Sequence, residues 1–379
     1  MKTMVDTIKL LMPIPDPKVI SSGSFSPYTV EQFMRMAGTH RTYINPSPIY
    51  AKLGKYMPRL TLHRRPSKTI GVSYQLAIEF SAPKMLYGNN FDELEEKDFT
   101  LLLAALREKL LELLGIRFFD HQLASAKVGA WHPSKNIVFM DYTSCQTILS
   151  TIAKLDISKI YDLQDTNFRD GRVIHIHTNS KDIAFYDKLA DLRKAKTSNK
   201  RAFEDDGAIQ MNLLASIEEY HPIEIFRYEI RLIGIASIKR AYPELEVWTF
   251  ETLFKRQLCK RLLVDHWLKF TSSIDMLSLD TSKPYELLQN YLIENPSATP
   301  QAAMAAVAGL LISGHEGVPK LRNLLESRYG KQAWRRVKPL LKNPSANRYK
   351  HFQHIDEALE RFTPTRMTKF LSNIENSVK

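Results

Sequence analysis

The sequence predicts an α+β protein: an antiparallel sheet that carries its site on one face and helices on the other, followed by a helical C-terminal domain. Three patterns support this. Segments 69–81 and 222–234 alternate apolar and polar residues with a period of two, as half-buried strands do. Leucines 102, 103, 106, 110, 113 and 114 recur at helical spacing between Asp98, a candidate N-cap, and Gly115, a stop signal. From Trp248 onward the pattern is helical throughout. The expected division is a catalytic domain at 1–275 and a basic helical domain at 276–379.

Composition narrows the class. The chain has 379 residues, 44% hydrophobic and 25% charged, ordinary values for a folded protein with room for two domains. Lys and Arg exceed Asp and Glu by 53 − 41, giving +12, which points to a polyanionic partner, although ribosome-like and membrane-surface roles also fit this charge. Cys145 and Cys259 form no CxxC pair, so a zinc ribbon or disulfide framework is excluded and a reducing compartment expected. No run of about 18 apolar residues spans a bilayer. Asp6 and the early prolines break any signal-peptide core, so the expected location is cytoplasmic, with no membrane partner. There is no Walker loop, GxSxG or dinucleotide fingerprint, hence no expected nucleotide cofactor.

Taken in order, residues 4–12 read as a strand stopped by Pro13, Pro15 and Pro17. A short helix over 30–36 follows, then a basic cluster of Arg59, His63, Arg64, Arg65 and Lys68 before the 69–81 strand, which sets Glu79 on its less apolar face. Gly88-Asn89-Asn90 suits a turn, and the leucine helix comes next. A strand over 136–143 ends in Asp141, the position of a cap or of a metal ligand, and a helix over 144–155 leads on. In GRVIHIHTNSKDIAFYDK, His175 and His177 share one strand face, and Ile183 and Phe185 lead to Tyr186. The stretch reads equally as a hairpin with one exposed tyrosine or as a nucleophile site, since a phenol becomes useful only beside a cation or a metal-polarised phosphate. Lys188 shares the face of Tyr186 if the strand continues, and otherwise is a solvated lysine opening a helix. A polar insertion, 197–207, reads as a loop. The 222–234 strand sets Phe226, Tyr228, Ile230 and Leu232 against Arg227, Glu229 and Arg231, either a surface ion-pair ladder or a phosphate and cation site. Residues 248–270 read as one amphipathic helix and 271–284 as a linker. Over 281–379 there are 15 basic and 8 acidic residues, and over 318–350 the counts are 10 and 1, interleaved with Tyr329, Trp334 and Tyr349. That imbalance favours a nucleic-acid surface that includes Arg335, Arg336 and Lys338.

Assembled in order, MVDTIKLLMP, LAIEFSAPKMLYGNN, FMDYT, IAFYDK and IFRYEIRL resemble the gene II replication initiators of filamentous phages and, more loosely, rolling-circle plasmid initiators. The likeness covers about residues 4–260. It implies a catalytic domain like that of the wider His-hydrophobe-His endonuclease superfamily. It also implies a rolling-circle initiator that nicks one strand of double-stranded origin DNA in a bacterial host cell and later rejoins the displaced single strand. By position Tyr186 matches the family's nucleophile, with Lys188 assisting. Asp141 and Glu229 match acidic positions at a Mg²⁺ or Mn²⁺ site, with His175 or His177 as further ligands. Arg227 and Arg231 are then phosphate clamps, and Arg64, Arg65 and the basic tail supply DNA affinity. A host helicase and DNA polymerase are the implied partners. Two other readings stand: a non-catalytic, sequence-specific DNA-binding regulator on a related scaffold, and, more weakly, an RNA-binding protein.

Overall fold

The computed structural model describes residues 5–20, 25–44, 50, 53–67, 71–157, 165–169, 171–179, 181–193, 208–219, 223–277, 283–342 and 349–378. The 197–207 insertion and residues 278–282 of the expected linker lie outside them. The protein is α+β. Its chain divides into two compact units, both discontinuous: 1–142, 180–263 and 362–379 form the first, and 143–179 with 264–361 the second. The division therefore does not fall at the single boundary expected near residue 275, because the end of the sequence returns to the first unit.

Among the described residues the strands are β1 (Val5–Pro13), β2 (His40–Ile44), β3 (Arg59–Ser67), β4 (Gly71–Ser81), β5 (Lys127–Phe139), β6 (Asp165–Arg169), β7 (Val173–His177), β8 (Lys181–Asp187) and β9 (Glu224–Ile233). In the first unit their order is β2-β3-β4-β1-β5-β9-β8, each neighbouring pair antiparallel. Even-numbered positions of β3 and β4, and of β1 from Ile8 on, face the core. Leu60, Leu62, Leu76, Ile78, Ile8 and Leu10 are all buried there. The leucines of the Phe99–Leu114 helix bury the matching face as expected, and Gly115 ends that helix with φ at 67°. Phe250 ties helix to sheet, with ring centroids 6.0 Å from Phe80 and 5.0 Å from Phe99.

Several elements differ from expectation. Arg59, His63, Arg64 and Arg65 of the basic cluster lie in a strand, β3, because Leu60 and Leu62 supply an inward row that the surrounding charges obscure; Lys68 lies outside the described residues. The 248–270 segment forms two helices, Phe250–Leu253 and Arg256–Thr271. Asp98 does not cap its helix; its carboxylate accepts the Tyr87 hydroxyl at 2.6 Å and the Glu95 amide at 2.7 Å.

A buried network ties the returning C-terminal segment to the first unit. Lys135 Nζ donates to Glu93 at 2.8 Å and to the Thr365 hydroxyl at 3.0 Å, while the Thr365 amide donates to Glu93 at 2.8 Å. Met367 and Leu371 then complete a small apolar cluster with Phe91, Leu189, Leu214 and Ile217. In the second unit the β6–β7 hairpin joins a set of helices held by Arg322–Asp156 at 2.6 Å and by the Trp267 indole donating to Asp356 at 2.6 Å.

Candidate active site

The site forms on the polar face of β5, β9 and β8. Register sets Arg227 between Asn136 and Tyr186, and Glu229 between Ser134 and Ala184, so alternation brings these side chains onto one surface. Glu229 is the hub. Its carboxylate accepts from Arg231 at 3.0 and 3.3 Å and from the Tyr186 hydroxyl at 3.2 Å, and it lies 3.6 Å from His132 Nδ1. Arg227 contacts Asp6 of β1 at 3.0 Å and donates to the Ser134 hydroxyl at 3.0 Å and the Asn90 carbonyl at 3.1 Å.

Charge balance explains how this face is buried. Arg227 is 1% and Glu229 2% exposed, so the Arg-Glu-Arg row is no surface ladder. Burial pushes the Glu229 carboxyl up, but Arg231, His132 and Arg227 together hold it well below its ordinary value. Asp6 is likewise held low: burial pushes its carboxyl up, but Arg227, Lys188 and Lys84 together pull it below its ordinary value. Tyr186 is 7% exposed; burial raises its phenol well above 10, against the opposing pull of Arg227. The phenol is therefore a protonated donor in this state, not an ionised nucleophile. Lys188 opens the Lys188–Arg193 helix, yet it is buried, with its ammonium 6.0 Å from the Tyr186 ring centroid. Burial, then Arg227, lowers its pKa to about 8.

Other expected site residues fall elsewhere. Asp141 is exposed beyond the end of β5; Ser134 pairs with Glu229 and Phe139 with Glu224, which leaves Asp141 about 20 Å from Glu229 at about 3.3 Å per strand residue. His175 and His177 share a face of β7, their rings 5.6 Å apart, and belong to the second unit. The implied Mg²⁺ or Mn²⁺ set does not fit: Asp141 and Glu229 do not converge, and Arg231 already occupies both Glu229 oxygens. Arg227 is no open phosphate clamp either, because the cavity beside it measures about 10 Å³, room for one water. Arg64 is buried on the core side and donates to the Gly38 carbonyl at 2.6 Å, rather than standing exposed as expected of a phosphate contact. Arg65, Arg335, Arg336 and Lys338 are exposed, whereas the interleaved Trp334 is core.

Sequence reasoning missed Asp6, His132 and Ser134. Asp6 carried a usable signal: a carboxylate within an apolar strand needs a buried cation. His132 carried none. No family model, curated protein or solved structure matches this chain, and no helix among the described residues is long and apolar enough to cross a membrane.

Proposed function

We propose that the chain is a DNA nicking and joining enzyme of the replication-initiator type, acting through a phosphotyrosyl bond on Tyr186. The supporting observation is convergence: Tyr186 and Glu229, from separate sequence motifs, meet at 3.2 Å, with Arg231, Arg227 and Asp6 around them. In this reading Arg231, at 29% side-chain exposure, meets the incoming phosphate first. Drawn toward phosphate, Arg231 leaves Glu229, whose proton affinity then rises, and Glu229 takes the phenol proton. The Tyr186 oxygen attacks phosphorus, the P–O3′ bond breaks, and the departing 3′-oxygen takes a proton from solvent water while Glu229 returns its own to solvent. Attack by a 3′-hydroxyl on the phosphotyrosine reverses the step, so rejoining needs no ATP.

The test uses supercoiled plasmid carrying the gene's own neighbourhood. Wild type is expected to give nicked circles with protein on the 5′ end. Tyr186→Phe is expected to bind the same DNA and leave it closed. Nicking by the phenylalanine variant rejects the assignment.

One observation favours the regulator reading: the phenol is buried, with its hydroxyl donating to Glu229. A regulator shifts origin DNA in a gel but leaves every supercoiled plasmid intact under all divalent-metal conditions.

A further inference from the structure

The core side of β1–β4 is sealed, but its opposite face is open among the described residues. Odd-numbered positions lie there: Arg41 and Tyr43 of β2, Arg59, Thr61, His63 and Arg65 of β3, and Lys9 of β1. Arg41 and Arg65 are exposed and the others half-buried.

Two observations make this face electropositive. Glu79 takes up Lys9 at 2.9 Å and Arg59 at 3.9 Å, but neither Arg41 nor Arg65 has a carboxylate partner among the described residues. His63 reports the convergence: its pKa is lowered by burial and then by Arg65, Lys9 and Arg41 together. The face is continuous with the candidate site. Register carries it from Arg41 opposite His63, through Lys9 and Thr7, to His132 and Arg231. Five strand spacings of about 4.8 Å separate β2 from β9, a track about 24 Å wide.

We propose that this face binds an unpaired DNA strand, its phosphates on Arg41, Arg65 and Arg231 and its bases against Tyr43 and His63, and leads it toward Tyr186. The choice of DNA rests on the nicking reading. The choice of a single strand rests on shape. Duplex grooves are read by a protruding helix or two-stranded ribbon, whereas a broad sheet face that sets cations beside an aromatic ring suits splayed bases and a bare backbone. Tyr43 sits under Arg41, 5.8 Å from guanidinium carbon to ring centroid, so a stacked base also meets a cation.

The experiment measures anisotropy of labelled oligo(dT), of a duplex of equal length and of oligo(rU), across a salt series. The full chain is used with Tyr186→Phe present, so that no covalent product forms. Arg41→Ala with Arg65→Ala is expected to weaken oligo(dT) at least tenfold and to reduce the salt slope by about 1.4, at about 0.7 per lost phosphate contact. Both side chains are exposed, so folding is retained, and circular dichroism checks this. Arg41→Lys with Arg65→Lys is expected to restore the slope. Unchanged affinity and slope, or a loss confined to duplex or to oligo(rU), overturns the proposal. If the alanine pair loses oligo(dT) while wild type cuts no plasmid, the surface stands and the nicking reading falls. If wild type cuts and the alanine pair binds normally, the reverse holds.

Discussion

At the scale of single residues, Lys188 carries a cost of burial that its neighbours do not offset. Its pKa falls from 10.5 to about 8, so between those values the unfolded chain holds a proton that the folded chain releases. Stability therefore rises with pH across that window, and the full penalty applies below it. For this buried group the lowering to about 8 corresponds to on the order of 3 kcal/mol. Lys188→Met is expected to stabilise the protein by about 1–3 kcal/mol at pH 7, with the gain fading near pH 10. Urea unfolding at the two pH values checks it. Tyr186, Arg227, Glu229 and Arg231 were legible in the sequence because alternation assigns a face. The burial of that face was not, because Asp6, which neutralises Arg227, lies in a strand that nothing local links to β9.

At the scale of elements, long one-faced patterns were legible and charge-masked ones were not. The Phe99–Leu114 helix shows its period in six leucines and buries all of them. Leu106→Ala, a fully buried site, is expected to cost about 2–5 kcal/mol. Leu111→Ala, at 46% exposure on the opposite side, is expected to cost under about 0.5 kcal/mol. Denaturant midpoints compare the two. In β3 Leu60 and Leu62 are the apolar residues of the inward row, and Arg59, Arg64 and Arg65 hide that two-residue period in what reads as a basic cluster. The same alternation turns Arg65 to the open face and Arg64 to the carbonyl of Gly38, so adjacent arginines have opposite roles. A charge count cannot separate them; strand parity can.

For the whole molecule, the unit division was not legible, since hydrophobic periodicity says where elements begin and end but not which distant ones share a core. Residues 362–379 read as more basic tail, yet they complete the first unit. A chain cut after Arg361 leaves Glu93 and Lys135 without Thr365 and uncovers Phe91, Leu214 and Ile217. It is expected to lose more than about 3 kcal/mol and to bind a hydrophobic dye, as urea melts and dye fluorescence report. A chain ending at residue 275 has the same defect.

The hydrogen bond from Thr365 to Asn136 spans 229 positions. At about 5–20 residues per second, a ribosome needs about 10–45 s to synthesise that interval. Throughout it Glu93, Lys135 and Asn136 lack the Thr365 bonds that close the network. A stop codon placed before residue 362 should then yield a protein without function, so that competence arrives only after Met367 and Leu371 have been added.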